Sequence, residues 1–222
     1  MLNVRSSLPE ENVTLPDGTA IGCFSSGSGP LNLLLLHGLN SYSGTWKKNV
    51  DVLSTVGNVC APTLPKVDFS GGSSLYDAVV SLSEIVLKLI ITKGWSRVTI
   101  VGNSMGGWLG LHLALNYSGL VRGLVLVDSA GITEDSDSQE VHPAVMDRML
   151  NRISQPVLIV WGEEDRLIPL SAAETLHERI SGSRLEVIRG AGHIPHLEKA
   201  EEFNRIILSF LSENMPRLIS NR

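Results

Sequence analysis

The chain has 222 residues, 43% of them hydrophobic and 18% charged, with a formal net charge of −5. That length supports one α/β domain with a substantial core, and the composition is that of an ordinary globular protein. A mildly acidic balance argues against nucleic acid as the main partner, because phosphate binding needs clustered Lys and Arg. The two cysteines, Cys23 and Cys60, are expected as free buried thiols. Met1–Pro9 has Arg5 but no apolar stretch behind it, so no secretory signal is read there. Apolar runs such as Leu33–Leu36 are too short to span a bilayer. A cytoplasmic protein with no membrane partner is the resulting expectation, and oligomeric state is not legible.

Asn12–Leu15 and Ala20–Ser25 flank the turn signal Pro16-Asp17-Gly18 and predict a hairpin. Leu31–Leu36 is a near-continuous apolar run, the pattern of a strand buried on both faces. Trp46–Leu53 reads as helix, Gly57–Ala61 as strand and the Gly/Ser-rich Pro65–Ser74 as loop. Leu75–Thr92 has apolar residues at helical spacing; Val98–Val101 is a strand, Met105–Asn116 a helix and Leu124–Val127 a strand. The acidic stretch Glu134–Glu140 reads as solvated loop and Pro143–Ile153 as helix. Val157–Trp161 is a strand, and Ser171–Ile180 a helix with Ser171 as N-cap and Glu174 in the first turn. Leu185–Ile188 is the last strand and Glu198–Leu211 the closing helix. Strands alternating with helices predict a mostly parallel central sheet covered on both faces, within a single domain over 1–222.

The sharpest chemical signal is Gly102-Asn103-Ser104-Met105-Gly106, a G-x-S-x-G pattern with a strand before it and a helix after it. So tight a strand-to-helix turn strains the serine backbone and lifts its hydroxyl above the sheet. Side chains two residues before and after would collide, hence the glycines. Gly107 and Gly110 are read as serving close helix–sheet packing. A serine hydroxyl needs a base. His193, in Gly190-Ala191-Gly192-His193, lies beyond a strand's carboxyl end, where open α/β sheets keep their ligand sites. His196 is its local rival, His112 and His177 fall within helices, and His142 has no evident role. The base in turn needs an acid to fix its tautomer. Asp165 follows Val157–Trp161 in Gly162-Glu163-Glu164-Asp165, and Asp128, after Leu124–Val127, is the alternative. The chain order Ser104, Asp165, His193 suits a hydrolase built on such a turn. The oxyanion donors are expected to be the N–H groups of Met105 and of Leu39 in His37-Gly38-Leu39-Asn40, with His37 bracing that loop. Asn40 and Trp108 are the expected substrate contacts. Zinc-ligand spacings such as H-E-x-x-H are missing, so neither a metal nor another cofactor is predicted.

Taken together these residues resemble the α/β-hydrolase superfamily over nearly the whole chain. His37-Gly38 is similar to its oxyanion loop, and Gly102–Gly107 to its nucleophile elbow. Gly162-Glu163-Glu164-Asp165-Arg166-Leu167-Ile168-Pro169 is similar to its acid loop, and Gly192-His193 followed by Glu198 and Phe203 to its histidine loop and next helix. The resemblance implies an α/β-hydrolase fold with a catalytic triad of Ser104, Asp165 and His193. Two departures stand out. The family's Asp-x-x-Gly-x-Gly-x-Ser loop is replaced by Ala61–Ser73, and the family's large helical lid shrinks to a short lid-like insertion over 129–155. A reduced cap and an open site are therefore expected.

The reaction implied is acyl transfer from a small-molecule ester to water, so carboxylic ester hydrolysis is the first expectation. Carbon–carbon bond hydrolysis of ring-cleavage products is the second, because Gly102–Trp108 resembles the elbow of such hydrolases. A ligand-binding or signalling protein with an idle triad is the alternative from another class. An imidazole base must be neutral, so activity is expected to fall on the acidic side of the intrinsic histidine pKa of roughly 6.5.

Overall fold

A computed structural model describes residues 10–132 and 149–215. Eight strands form one sheet in the order β1-β2-β4-β3-β5-β6-β7-β8. They are β1 (Glu10–Thr14), β2 (Ala20–Ser26), β3 (Leu31–Leu36), β4 (Gly57–Pro62), β5 (Val98–Asn103), β6 (Val121–Val127), β7 (Val157–Gly162) and β8 (Arg184–Ile188). β1 and β2 form the expected antiparallel hairpin, β2 lies antiparallel to β4, and every pairing from β4 through β8 is parallel. Among the described residues the helices are α1 (Val50–Leu53), α2 (Leu75–Thr92), α3 (Met105–Asn116), α4 (Leu170–Arg179), α5 (Pro195–Glu198) and α6 (Ala200–Asn214).

Side-chain alternation explains the near-continuous apolar strands. Leu34 and Leu36 enter one core with Val79, Val86 and Leu89 of α2, most of α3 and Leu176 of α4. Leu33 and Leu35 enter the other, with Trp46, Leu53 of α1 and Phe203, Ile207 and Phe210 of α6. Both faces of the central strands are thus dry, so apolar side chains dominate both faces. α3 is buried from Met105 to Ala114. A Cβ on its Gly110 would already touch Ile100 and Leu124 at 3.3 Å, the close helix–sheet approach expected there. Cys23 and Cys60 are free and buried. No helix among the described residues is long and apolar enough to cross a membrane.

Three expected elements differ in detail. Trp46–Leu53 is not one helix: a 3₁₀ turn over Ser43–Trp46 and the single turn α1 are separated at Asn49. The Asn49 amide is drawn away to His196 O at 3.0 Å and Asn204 Oδ1 at 2.8 Å. α4 begins one residue early at Leu170, so the N-cap position falls to Pro169, which has no side-chain acceptor to offer Ser171's helix. The closing helix begins two residues later than expected, as α6 at Ala200, and Glu198 instead ends the separate turn α5. The acidic stretch Glu134–Glu140, His142 and most of the helix expected over Pro143–Ile153 lie outside the described residues; Leu150–Arg152 forms a 3₁₀ turn.

β3 lies between β4 and β5, and the helices that follow β3 and β4 cover opposite faces. The crevice at the carboxyl ends of β3 and β5 is therefore the topological switch point, where ligands of open α/β sheets bind.

Candidate active site

Ser104 sits at this crevice, between β5 and α3, with φ +53° and ψ −119°. A non-glycine residue rarely adopts this backbone, and the surroundings must hold it there. They do so through hydrogen bonds: Ser104 N–H donates to Val127 O at 3.0 Å, and Ser104 O accepts from Ala130 N–H at 3.0 Å and Gly107 N–H at 2.9 Å. The glycines at either side are obligatory. A Cβ on Gly102 would stand 2.2 Å from Gly106 O, and one on Gly106 would stand 2.3 Å from Leu36 O.

The loop after β3 closes over this turn. A Cβ built on Gly38 would lie 3.3 Å from Ser104 Cβ, which measures how near the two segments run. His37 braces the loop as expected: its Nδ1 side meets Gly38 O at 2.8 Å, and Nε2 accepts Leu64 N–H at 2.9 Å. Burial lowers its pKa and so favours the neutral ring this arrangement needs. Among the described residues, neither Leu39 N–H nor Met105 N–H donates to a protein acceptor. Asn40 accepts Val67 N–H at 2.9 Å, which ties this loop to the segment after β4. Trp108 is 4% exposed and lies under Gly131, a packed position rather than an open wall among the described residues.

His193 and Asp165 come from different loops and meet. His193 Nδ1 and Asp165 Oδ2 are 2.7 Å apart, with the Asp165 side chain fully buried. Asp165 Oδ1 accepts the N–H groups of Leu167 at 2.8 Å and Ile168 at 3.1 Å. Burial alone would raise the Asp165 pKa, but the bonds from His193, Leu167 and Ile168 outweigh it and hold the carboxyl below its ordinary value. Its negative charge therefore faces Nδ1 and fixes that nitrogen as the donor. Among the described residues no hydrogen bond joins the Ser104 hydroxyl to the imidazole; contacts of this kind are commonly long before substrate binds.

Two groups outside the expected set position His193. Asn103 Nδ2 donates to His193 O at 3.0 Å and to Val127 O at 3.1 Å, so the residue before Ser104 grips the histidine loop. Glu198 accepts Gly192 N–H at 2.7 Å and Ile194 N–H at 3.2 Å, bracketing His193 on both sides. An amide side chain at the end of a fully buried strand, next to Ser104, was the available signal for Asn103. His196 is fully buried, its ring centroid 4.0 Å from that of Trp46 at a tilt of 31°, and burial pushes its pKa down to about 3. It serves the core, not proton transfer.

Asp128, the alternative acid, directly follows β6 with φ +43° and is fully buried. Its Oδ1 accepts Gly162 N–H at 2.9 Å. Asp128, Asp165 and His193 each place one potential ligand atom within 4.8 Å of the others, the one such group of three among the described residues that could hold a metal ion. His193 Nδ1 is already committed to Asp165 at 2.7 Å, so that ring face is not open to a metal.

A family model described as alpha/beta hydrolase fold matches residues 32–153 and 144–200. A 2-hydroxy-6-oxononadienedioate/2-hydroxy-6-oxononatrienedioate hydrolase of Paraburkholderia phymatum is 25% identical over 257 residues, covering 85% of this chain and 89% of that protein. The crystal structure of a predicted CIB-like hydrolase from Thermoplasma acidophilum is similar at 29% identity and a TM-score of 0.77, covering 93% of this chain and 99% of that one. A thermophilic esterase from Thermogutta terrifontis shares the fold at 19% identity and a TM-score of 0.75, covering 92% and 98% of the two chains.

Proposed function

Because the chain belongs to the α/β-hydrolase family, we propose that it is a serine hydrolase cleaving carboxylic esters through an acyl-enzyme intermediate. The observation that carries this reading is the strained Ser104 turn, with the buried His193–Asp165 pair roped to it through Asn103. Strain of this kind is kept where it serves chemistry.

In this mechanism His193 Nε2 takes the proton of Ser104 as Oγ attacks the ester carbonyl. Asp165 holds Nδ1–H and stabilises the imidazolium. Charge on the carbonyl oxygen is met by Met105 and Leu39, whose N–H groups have no other acceptor among the described residues. One such donor is worth about 10²–10³ in kcat. The imidazolium then protonates the leaving alcohol, and water repeats the sequence on the acyl-enzyme. Leu39 and Leu167, 39% and 74% exposed, put apolar surface on two loops that carry the site, which suits an uncharged ester group.

A second reading, carbon–carbon bond hydrolysis, is favoured by the activity named for the Paraburkholderia relative, aligned over 85% of this chain. A turnover assay with a short-chain aryl ester beside a vinylogous 2-hydroxy-6-keto dienoate separates the two. Faster ester turnover, lost in Ser104→Ala, supports the first. Cleavage of the dienoate alone supports the second. Wild-type protein inert to both supports a ligand-binding protein with an idle triad.

A further inference from the structure

Asp128 presents a problem of charge that the mechanism above does not use. Its carboxyl group is fully buried just after β6, and Oδ1 is satisfied by Gly162 N–H at 2.9 Å. Oδ2 is buried with no hydrogen-bond partner among the described residues. Yet it lies in one cluster with the Asp165 carboxylate and His193, one carboxyl oxygen of each aspartate and one ring nitrogen of His193 lying within 4.8 Å of one another, and the two carboxyl groups interact side chain to side chain. The charged or titratable groups facing it are Asp165 on the loop after β7, His193 on the loop after β8, and Glu198 of α5. Two buried carboxylates at such range repel strongly if both are ionised.

Counting lone pairs resolves the problem. A carboxylate offers about four acceptor sites. Asp165 fills three, with Leu167 N–H and Ile168 N–H on Oδ1 and His193 Nδ1–H on Oδ2. One site remains open on Asp165, and one buried oxygen on Asp128 lacks a partner. A single hydrogen between them satisfies both.

We propose that Asp128 is a positioning residue held as the neutral acid, whose Oδ2–H donates to the Asp165 carboxylate and locks it against His193. The pair is a carboxylic acid beside a carboxylate, sharing one proton and one negative charge. No proton moves between these two carboxyl groups during the catalytic cycle: Asp165 keeps the charge that orients the imidazole, and Asp128 keeps the proton. Burial, and after it the neighbouring Asp165, push the Asp128 pKa up to about 9 despite the opposing bond from Gly162, so the neutral form prevails at pH 7. The consequence for rate rests on the serine-hydrolase reading; the protonation state does not.

Asp128→Asn is the decisive variant. Its amide oxygen can still accept Gly162 N–H, and its NH₂ can donate to Asp165, so it imitates the acid and never ionises. Thermal unfolding of wild type and Asp128→Asn is compared from pH 4 to 9. A folded pKa of about 9, above the unfolded value, means a contribution fully present below the unfolded pKa of roughly 3.9 and lost as pH rises through 9. The Asn variant's Tm should therefore match wild type near pH 4 and gain on it steadily with rising pH. Parallel Tm profiles would overturn the proposal, and this readout needs no activity.

Kinetics give the second arm. Asp128→Ala, which leaves Asp165 short of a donor, should lower kcat about tenfold with KM little changed, and Asp128→Asn should recover most of that loss. Wild-type kcat should decline above about pH 9, a limb that the Asn variant lacks. A fall of about 10⁴ in Asp128→Asn, the behaviour of an ionised acid in a triad, would overturn the proposal. Wild-type protein without any ester turnover would remove the serine-hydrolase reading while leaving the Tm comparison intact.

Discussion

At the scale of single residues, the site depends on side chains that never touch substrate. Glu198 shows this most simply. Its two oxygens hold the N–H groups on either side of His193, at 2.7 and 3.2 Å. Glu198→Ala frees both donors and lets the loop drift. A misplacement of about 1 Å can cost 10²-fold in rate, so kcat should drop by at least about tenfold while the fold survives. A circular dichroism spectrum beside steady-state kinetics checks both halves. Gly162 makes the same point through space: a Cβ there would stand 2.0 Å from Gly192 O, backbone that cannot rotate away. Gly162→Ala should push the loop of Asp165 from that of His193, with activity falling more than the unfolding midpoint does.

At the scale of elements, the sequence reveals what local chemistry decides and hides what tertiary contacts decide. Strand β3 is legible to the residue because Leu31–Leu36 must be dry on both faces. Helix α2 is legible because the run of apolar positions ends cleanly at both sides. Its start carries a complete capping box, Ser74 and Asp77 exchanging bonds at 3.1 and 2.9 Å. Ser74→Ala should cost about 1 kcal/mol, measured by denaturant unfolding with unchanged m. The same motif read at Ser171 and Glu174 is not used, because Pro169 already sets the entry into α4. Trp46–Leu53 breaks where Asn49 spends its side chain on groups far along the chain, and Glu198, its side chain spent on the loop of His193, ends α5 instead of opening α6. No local pattern announces such a break. For the same reason Ser104, Asp165 and His193 could be picked out by motif, whereas Asn103 and the neutral state proposed for Asp128 depend on what the folded chain brings alongside.

At the scale of the whole molecule, the core on the α1 and α6 face of the sheet ends in one crowded corner where α5 and α6 meet the 3₁₀ turn at Trp46. His196 is buried there between Trp46 and Phe203, and both its ring nitrogens lack partners. Its folded pKa of about 3 lies below the unfolded value of roughly 6.5. The unfolded chain therefore binds the extra proton between these values. Stability is fully present above about pH 6.5 and is lost as pH falls toward 3, by up to a few kcal/mol. His196→Phe should flatten this acid limb, and an unfolding series from pH 7 to 4 on both proteins checks it.

The proposed activity requires the hydroxyl of Ser104 to be a nucleophile made reactive by His193. The most direct measurement is intact-protein and peptide mass spectrometry after treatment with a fluorophosphonate. One adduct, on Ser104, absent in Ser104→Ala and strongly slowed in His193→Ala, is the predicted result. A wild-type protein that stays unlabelled at pH 8, or one labelled equally fast without His193, would contradict it.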